Sequence, residues 1–286
     1  MQLGEDLRLT LFGTSHGPRV GAILEGVPNG LIVDEAAIAE AMATRRPGGR
    51  YASKRKEQDR VEFLCGVVEG KTTGGPIELS IDNQDAKSKD YNFLPHHPRP
   101  GHQDMVMHKR TNGEADLRGG GMSSARLTAP LVAAAAFVAP LLTPLGIKAE
   151  AQVGAIGSIE AGEMEHQPAR WSTDACKEMR CRDPDAAEAM VALVESQRMN
   201  LNSIGSRVDL VVTGTPLGLG EPWFDGIEPA MARAMMSIPA ARGVTFGRGF
   251  DVVNMTGLQH NDAWGGTPES PTPMGDRPDG GLAGLA

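Results

Sequence analysis

Apolar and polar residues alternate in short runs near the start of the chain. Leu7 to Gly13 alternates partly and stops at a glycine, and Val20 to Leu24 follows suit, which predicts two short strands. The turn between them is Gly13-Thr14-Ser15-His16-Gly17-Pro18, so His16 stands on a tight loop. From Asp34 to Met42 the period changes to that of an amphipathic helix, opened by a capping aspartate with acids in its first turn. Val61 to Val68 and Ile77 to Ile81 read as strands around the turn-rich Lys71 to Pro76, and residues 82 to 122 read as mostly irregular. A helix is expected from Ser123 or Ser124. Pro130 and Pro140 should kink or divide it, since a proline inside a helix costs about 3 kcal/mol. Beyond a polar, breaker-rich stretch at 160 to 185, the pattern predicts helices over Pro184 to Gln197 and Ile227 to Met236, and a strand over Ser206 to Thr213. Gly265 to Gly281 reads as a loop, and no repeat of fixed period occurs.

Composition narrows the function classes. A chain of 286 residues is long enough for one large or two small domains with a substantial core. The net charge of −8 gives no broad basic field, which argues against nucleic-acid or membrane attraction, so any anionic ligand must be met locally. Cys65, Cys176 and Cys181 are sparse and lack paired zinc spacing, the usage of a reduced, cytoplasmic protein. The most apolar run, residues 131 to 142, falls short of the roughly 20 residues that span a bilayer.

Several segments carry chemistry. Arg45, Arg46, Arg50, Lys54, Arg55 and Lys56 are six cations within twelve residues, suited to a carboxylate or phosphate, or else a solvated basic loop. His16 could protonate a leaving phosphate, or be satisfied by backbone groups. His96, His97, His102 and Asp104, with His108 beyond, raise the possibility of zinc or iron in a hydrolase, although the intervening prolines preclude the helical spacing of paired ligands. Otherwise His102 is an acid or base in a rigid loop, or structural. Gly119-Gly120-Gly121-Met122-Ser123-Ser124-Ala125-Arg126 allows close backbone approach ahead of a helix, which serves a phosphate or a structural cap. Two further Gly- and Pro-rich segments, 213 to 225 and 236 to 250, shape loops that could wall a flat ring or be architectural.

Taken in order, these segments resemble chorismate synthase. The family's Gly-Glu-Ser-His-Gly stands as Gly13 to Gly17, its Arg-Arg-Arg-Pro-Gly as Thr44 to Gly48, and its Lys-Thr-Thr-Gly as Lys71 to Gly74. Its Arg-Pro-Gly-His-Ala-Asp stands as Arg99 to Asp104, its Gly-Gly-Gly-Arg-Ser-Ser-Ala-Arg-Glu-Thr as Gly119 to Thr128, and its Gly-Leu-Gly-Glu-Pro-x-Phe-Asp as Gly218 to Asp225. The resemblance implies an α+β fold of layered β/α/α/β type over residues 1–286 as a single domain, assembled as a cytoplasmic homotetramer. It implies conversion of 5-enolpyruvylshikimate 3-phosphate to chorismate and phosphate with reduced FMN. By the same resemblance His16 and His102 would be catalytic, and Arg45, Arg46, Arg50 and Arg126 would bind substrate anions or NADP. Met122, Ser123, Ser124, Ala240 and Gly284 would contact FMN, with no metal.

The chain also departs from the family pattern. Met122 replaces an arginine, Leu127 a glutamate, and Asn202 an aspartate, and the family's sequence continues past the equivalent of Ala286. A shortened member with impaired catalysis, binding FMN or phosphate without turnover, is the expectation that competes with an active enzyme.

Overall fold

The computed structural model describes residues 1–46, 50–51, 57–84, 88–168, 171–274 and 279. Strand β1 (Gln2–Leu3) precedes the predicted hairpin of β2 (Arg8–Gly13) and β3 (Arg19–Glu25), which pair from Arg8 opposite Glu25 to Gly13 opposite Val20. Helix α1 (Glu35–Arg45) starts where Asp34 accepts a hydrogen bond from the Ala37 N–H at 2.9 Å, and it buries Ile38 and Met42, one turn apart. The single strand expected over Val61 to Val68 is instead β4 (Val61–Cys65) and a separate ribbon of β5 (Val67–Val68) and β6 (Lys71–Thr72). Gly66 divides them at φ 82°, where a side chain would meet the Pro76 carbonyl at 2.4 Å. Strand β7 (Ile77–Asp82) completes an antiparallel sheet of order β1-β2-β3-β7-β4.

Period-two burial on the adjacent inner strands β3 and β7 explains the sheet's stability. Val20 faces Ile81, Ala22 faces Leu79 and Leu24 faces Ile77, and all six are 2 % exposed or less. Each such side chain contributes about 1.5 to 3 kcal/mol relative to exposure for the larger aliphatics. The stretch expected to be mostly irregular holds, among its described residues, an α-helix, α2 (Asp104–Arg110), and 3₁₀ turns at Ser88–Tyr91 and Arg118–Ser123. Helix α3 (Thr128–Val138) buries Ala129, Ala133, Ala134 and Phe137, and the Phe137 ring lies 5.4 Å from that of Phe63 on β4. Pro130 occupies the first turn of α3, where its missing N–H has no helical acceptor, and Pro140 falls in a 3₁₀ turn after the helix has ended. The prolines therefore bound the helix rather than kink it.

Next come β8 (Lys148–Ile156), β9 (Ile159–Glu160), α4 (Asp174–Met179), α5 (Pro184–Met199) and β10 (Ser206–Thr213). Then follow α6 (Ile227–Met236), α7 (Gly257–His260) and a hairpin of β11 (Ala263–Thr267) with β12 (Ser270–Met274). That hairpin corrects the loop expected from Gly265 onward; its cross-strand ladder tolerates the glycines and prolines because it is a two-stranded ribbon with open edges.

By contact the chain divides into two units. One comprises residues 1–42, 59–137 and 216–286, and the other residues 43–58 and 138–215. The second has its own sheet, order β10-β8-β9, and a core that groups Ile156 of β8 with Cys176 and Met179 of α4, Cys181 of the link between the helices, and Ala187 and Met190 of α5. Asp183 caps α5 by accepting the Ala186 N–H at 3.1 Å and also accepts the Gly162 N–H at 3.0 Å. These backbone donors hold its carboxyl below the usual range.

Candidate active site

The His16 turn is fixed at both ends. Gly13 ends β2 at φ 92°, and the Gly17 N–H folds back on the Thr14 carbonyl at 3.2 Å and the Thr14 hydroxyl at 3.0 Å. Asn83, just past β7, holds the turn from beneath. Its Nδ2 donates to the carbonyls of Thr14 at 3.0 Å and Gly17 at 2.8 Å, and its backbone N–H donates to the Pro18 carbonyl at 2.9 Å.

The triple-glycine loop packs on the other side. Gly119, Gly120 and Gly121 have φ of 59°, 85° and 55°, so the expected helix entrance is instead a left-handed path that only glycine adopts freely. A side chain on Gly119 would stand 2.5 Å from the His16 ring and 2.6 Å from the Ser15 hydroxyl. The Ser15 N–H donates to the Gly121 carbonyl at 3.2 Å, and the Ser15 hydroxyl donates to the Arg118 carbonyl at 2.9 Å. With its proton so directed, Ser15 Oγ offers lone pairs to His16 Nδ1, 3.1 Å away, which places the exchangeable site of the imidazole at Nε2. Tyr91 meets the His16 ring edge-on at 5.0 Å. Ser124 then caps the 3₁₀ turn before α3, accepting the Arg126 N–H at 3.2 Å.

Arg126, expected at an anionic pocket, has its guanidinium committed within the fold. It is 5 % exposed, is paired with the buried Asp59, and donates to Asn83 Oδ1 at 2.8 Å and the Asp82 carbonyl at 3.2 Å. Sequence reasoning missed Asn83 and Asp59 because their role depends on partners 43 and 67 residues away.

Across from the turn, Arg99 grips Asp104 through two side-chain bonds of 2.9 and 2.7 Å and a backbone bond of 3.0 Å. The Arg99 guanidinium holds the Asp104 carboxyl below the usual range, and Arg118 does the same for Asp116. His102 is exposed, its Nδ1 3.0 Å from the Pro100 carbonyl. Among the described residues His96, His97, His102 and Asp104 do not form a metal-binding group, and Asp104 is paired with Arg99. Gly13 and Thr14 at the start of the His16 turn, Gln103, Asp104 and Met107 of the α2 region, and Gly120 and Met122 of the triple-glycine loop are among the walls of a cleft of about 350 Å³; of the expected site residues Met122 lines it, while His16, His102, Ser123, Ser124 and the arginines are not among its lining residues.

The remaining candidates are spread along the chain. Arg45 ends α1 and Arg46 follows it; Arg50 belongs to the second unit, 3.3 Å from Glu195, with its backbone N–H on Glu178 at 3.1 Å. Met122 and Ser123 are exposed at the end of the glycine loop, and Ala240 stands exposed at φ 71° after α6. Gly284 lies outside the described residues.

Comparison with known proteins places this geometry in a family. The family model described as chorismate synthase matches residues 7–284. The chain is 46 % identical over 262 residues to a chorismate synthase from Aeropyrum pernix, covering 91 % of this chain and 69 % of that protein. It is 44 % identical to one from Desulfatibacillum aliphaticivorans, covering 91 % and 71 %, and 40 % identical to one from Methanosarcina mazei, covering the same shares. A solved structure titled Crystal Structure of Chorismate Synthase superposes with a TM-score of 0.75 at 28 % identity, over 98 % of this chain and 80 % of that one. The mixed helices and antiparallel sheets are of its α+β class, and this chain belongs to the chorismate synthase family.

Proposed function

We propose that this chain, acting over residues 1–286 as one catalytic domain, eliminates phosphate from 5-enolpyruvylshikimate 3-phosphate to give chorismate, with reduced FMN as cofactor, as a cytoplasmic homotetramer. The observation that carries this reading is the meeting of the His16 turn and the triple-glycine loop around a single cleft. Gly120 lines that cleft, and a side chain there would meet only Ser124, at 3.8 Å. Met107, Leu117 and Met122 give the walls an apolar edge while Thr14 and Gln103 give a polar one, and the acids present are each neutralised by an arginine. A planar, polar-rimmed ring suits such walls.

When bound, reduced FMN supplies the electron density that helps expel phosphate from an unactivated carbon framework. Met122, Ser123, Ser124, Ala240 and Gly284 would hold it. His16 delivers a proton from Nε2 to the departing phosphate while Ser15 keeps the ring oriented through Nδ1. His102 would serve as an acid or base toward the flavin when it is bound. Arg45, Arg46 and Arg50 receive substrate anions, or NADP if the chain reduces its own flavin, while Arg126, paired with Asp59, serves the site by holding the turn.

Anaerobic assay with reduced FMN and the enolpyruvyl substrate tests the reading: chorismate should form, and His16→Ala should lower kcat about 100-fold or more with folding intact. Tight binding of substrate and FMN by folded protein without any chorismate would overturn it.

A further inference from the structure

Asn83 touches both the buried ion pair and the catalytic turn. Its Oδ1 accepts from Arg126 Nε at 2.8 Å, and a guanidinium can only donate, so the orientation of the amide is determined. Both hydrogens of Nδ2 are thereby aimed at the carbonyls of Thr14 and Gly17, at 3.0 and 2.8 Å, which flank Ser15 and His16. The backbone N–H of Asn83 takes the next carbonyl, Pro18, at 2.9 Å. Arg126 is itself immobile, being 5 % exposed and paired with Asp59, which is 3 % exposed.

We propose that Asn83 is a positioning residue for the reaction: oriented by Arg126, it clamps the two carbonyls on either side of the Ser15-His16 pair and so sets where the imidazole delivers its proton. This rests on the proton-delivering role given to His16. A displacement of about 1 Å at a reacting group costs on the order of 100-fold in rate.

Asn83→Asp separates this role from simple anchoring of Arg126. The carboxylate still accepts from Arg126 but has no hydrogen to give the two carbonyls. Expected for Asn83→Asp is a fall in kcat of about 10-fold to 100-fold with KM for substrate changed less than about 3-fold. The acid limb of the kcat pH profile should move, and so should the His16 resonance followed in protein labelled with ¹³C at histidine Cε1. Asn83→Ala should behave alike; if it does not accumulate as folded protein, Asn83→Asp carries the comparison. Wild-type kcat and pH profile in Asn83→Asp would overturn the proposal, as would an unmoved His16 resonance, which needs no turnover to read. Full activity in His16→Ala would instead strike the role of His16 itself, and an altered resonance in Asn83→Asp would then still assign the clamp.

Discussion

Arg126 is 5 % exposed with its guanidinium against Asp59, Asn83 and the Asp82 carbonyl, whereas Arg50 leaves 60 % of its side chain in solvent beside Glu195 and Glu178. Both were marked in the sequence as cations for an anionic ligand. A buried cation has given up its hydration and must keep every partner it has, so it becomes part of the scaffold and fixes its neighbours. An exposed pair in high dielectric is held by about 0 to 1 kcal/mol and exchanges partners at little cost. The first kind of arginine orients a turn. The second kind is available to an incoming carboxylate or phosphate.

The strongest attempt to break this contrast is Arg126→Met. It removes the cation that faces the buried Asp59 carboxylate and should destabilise the first unit by about 3 to 5 kcal/mol, read by guanidinium unfolding; a loss below about 1 kcal/mol would show the pair to be dispensable. Gly119→Ala tests whether the scaffold around His16 is as rigid as the buried pair implies. Its φ of 59° and the 2.5 Å approach to the imidazole should cost about 1 to 3 kcal/mol in thermal unfolding, together with most of the turnover. Equal activity and Tm would mean that the loop yields.

The Arg99–Asp104 pair stands between the extremes, with side chains 24 % and 2 % exposed. Because the folded carboxyl is held below its ordinary value of about 3.9, its contribution is present above that pH and is lost as pH falls through the lowered folded value. Asp104→Asn should remove about 2 kcal/mol at pH 6, and the gap to wild type should narrow from about pH 4 downward in urea titrations at stepped pH. Arg50→Ala is the smallest in stability, changing it by less than about 1 kcal/mol while raising KM for the anionic substrate several-fold; an unchanged KM would remove Arg50 from the substrate's path.

Local elements were largely legible. The ends of β10 and α6 match the expected residues, and Asp34 and Asp183 announce helix starts by caps that act within three residues. Strand β8 was not, because Lys148-Ala149-Glu150-Ala151 alternates with alanine as its apolar member, a residue that favours helix over strand, and this half of the strand is exposed. Helix α2 hid in a segment rich in proline and histidine. At the site, His16 and the glycines stood out by residue type, but the burial of Arg126 and the part played by Asn83 depend on a register between strands and loops that no local window contains.

The three glycines in a row answer to different neighbours. Gly119 makes room for an imidazole, and Gly121 lets the main chain pass the Asp116 carbonyl, which a side chain there would approach to 2.2 Å. Gly120 alone opens onto unfilled space. An engineer who wished to trim the hollow for a smaller guest thus has one address in the loop, where the penalty is backbone strain alone, while the residues on either side are closed to any such retrofit.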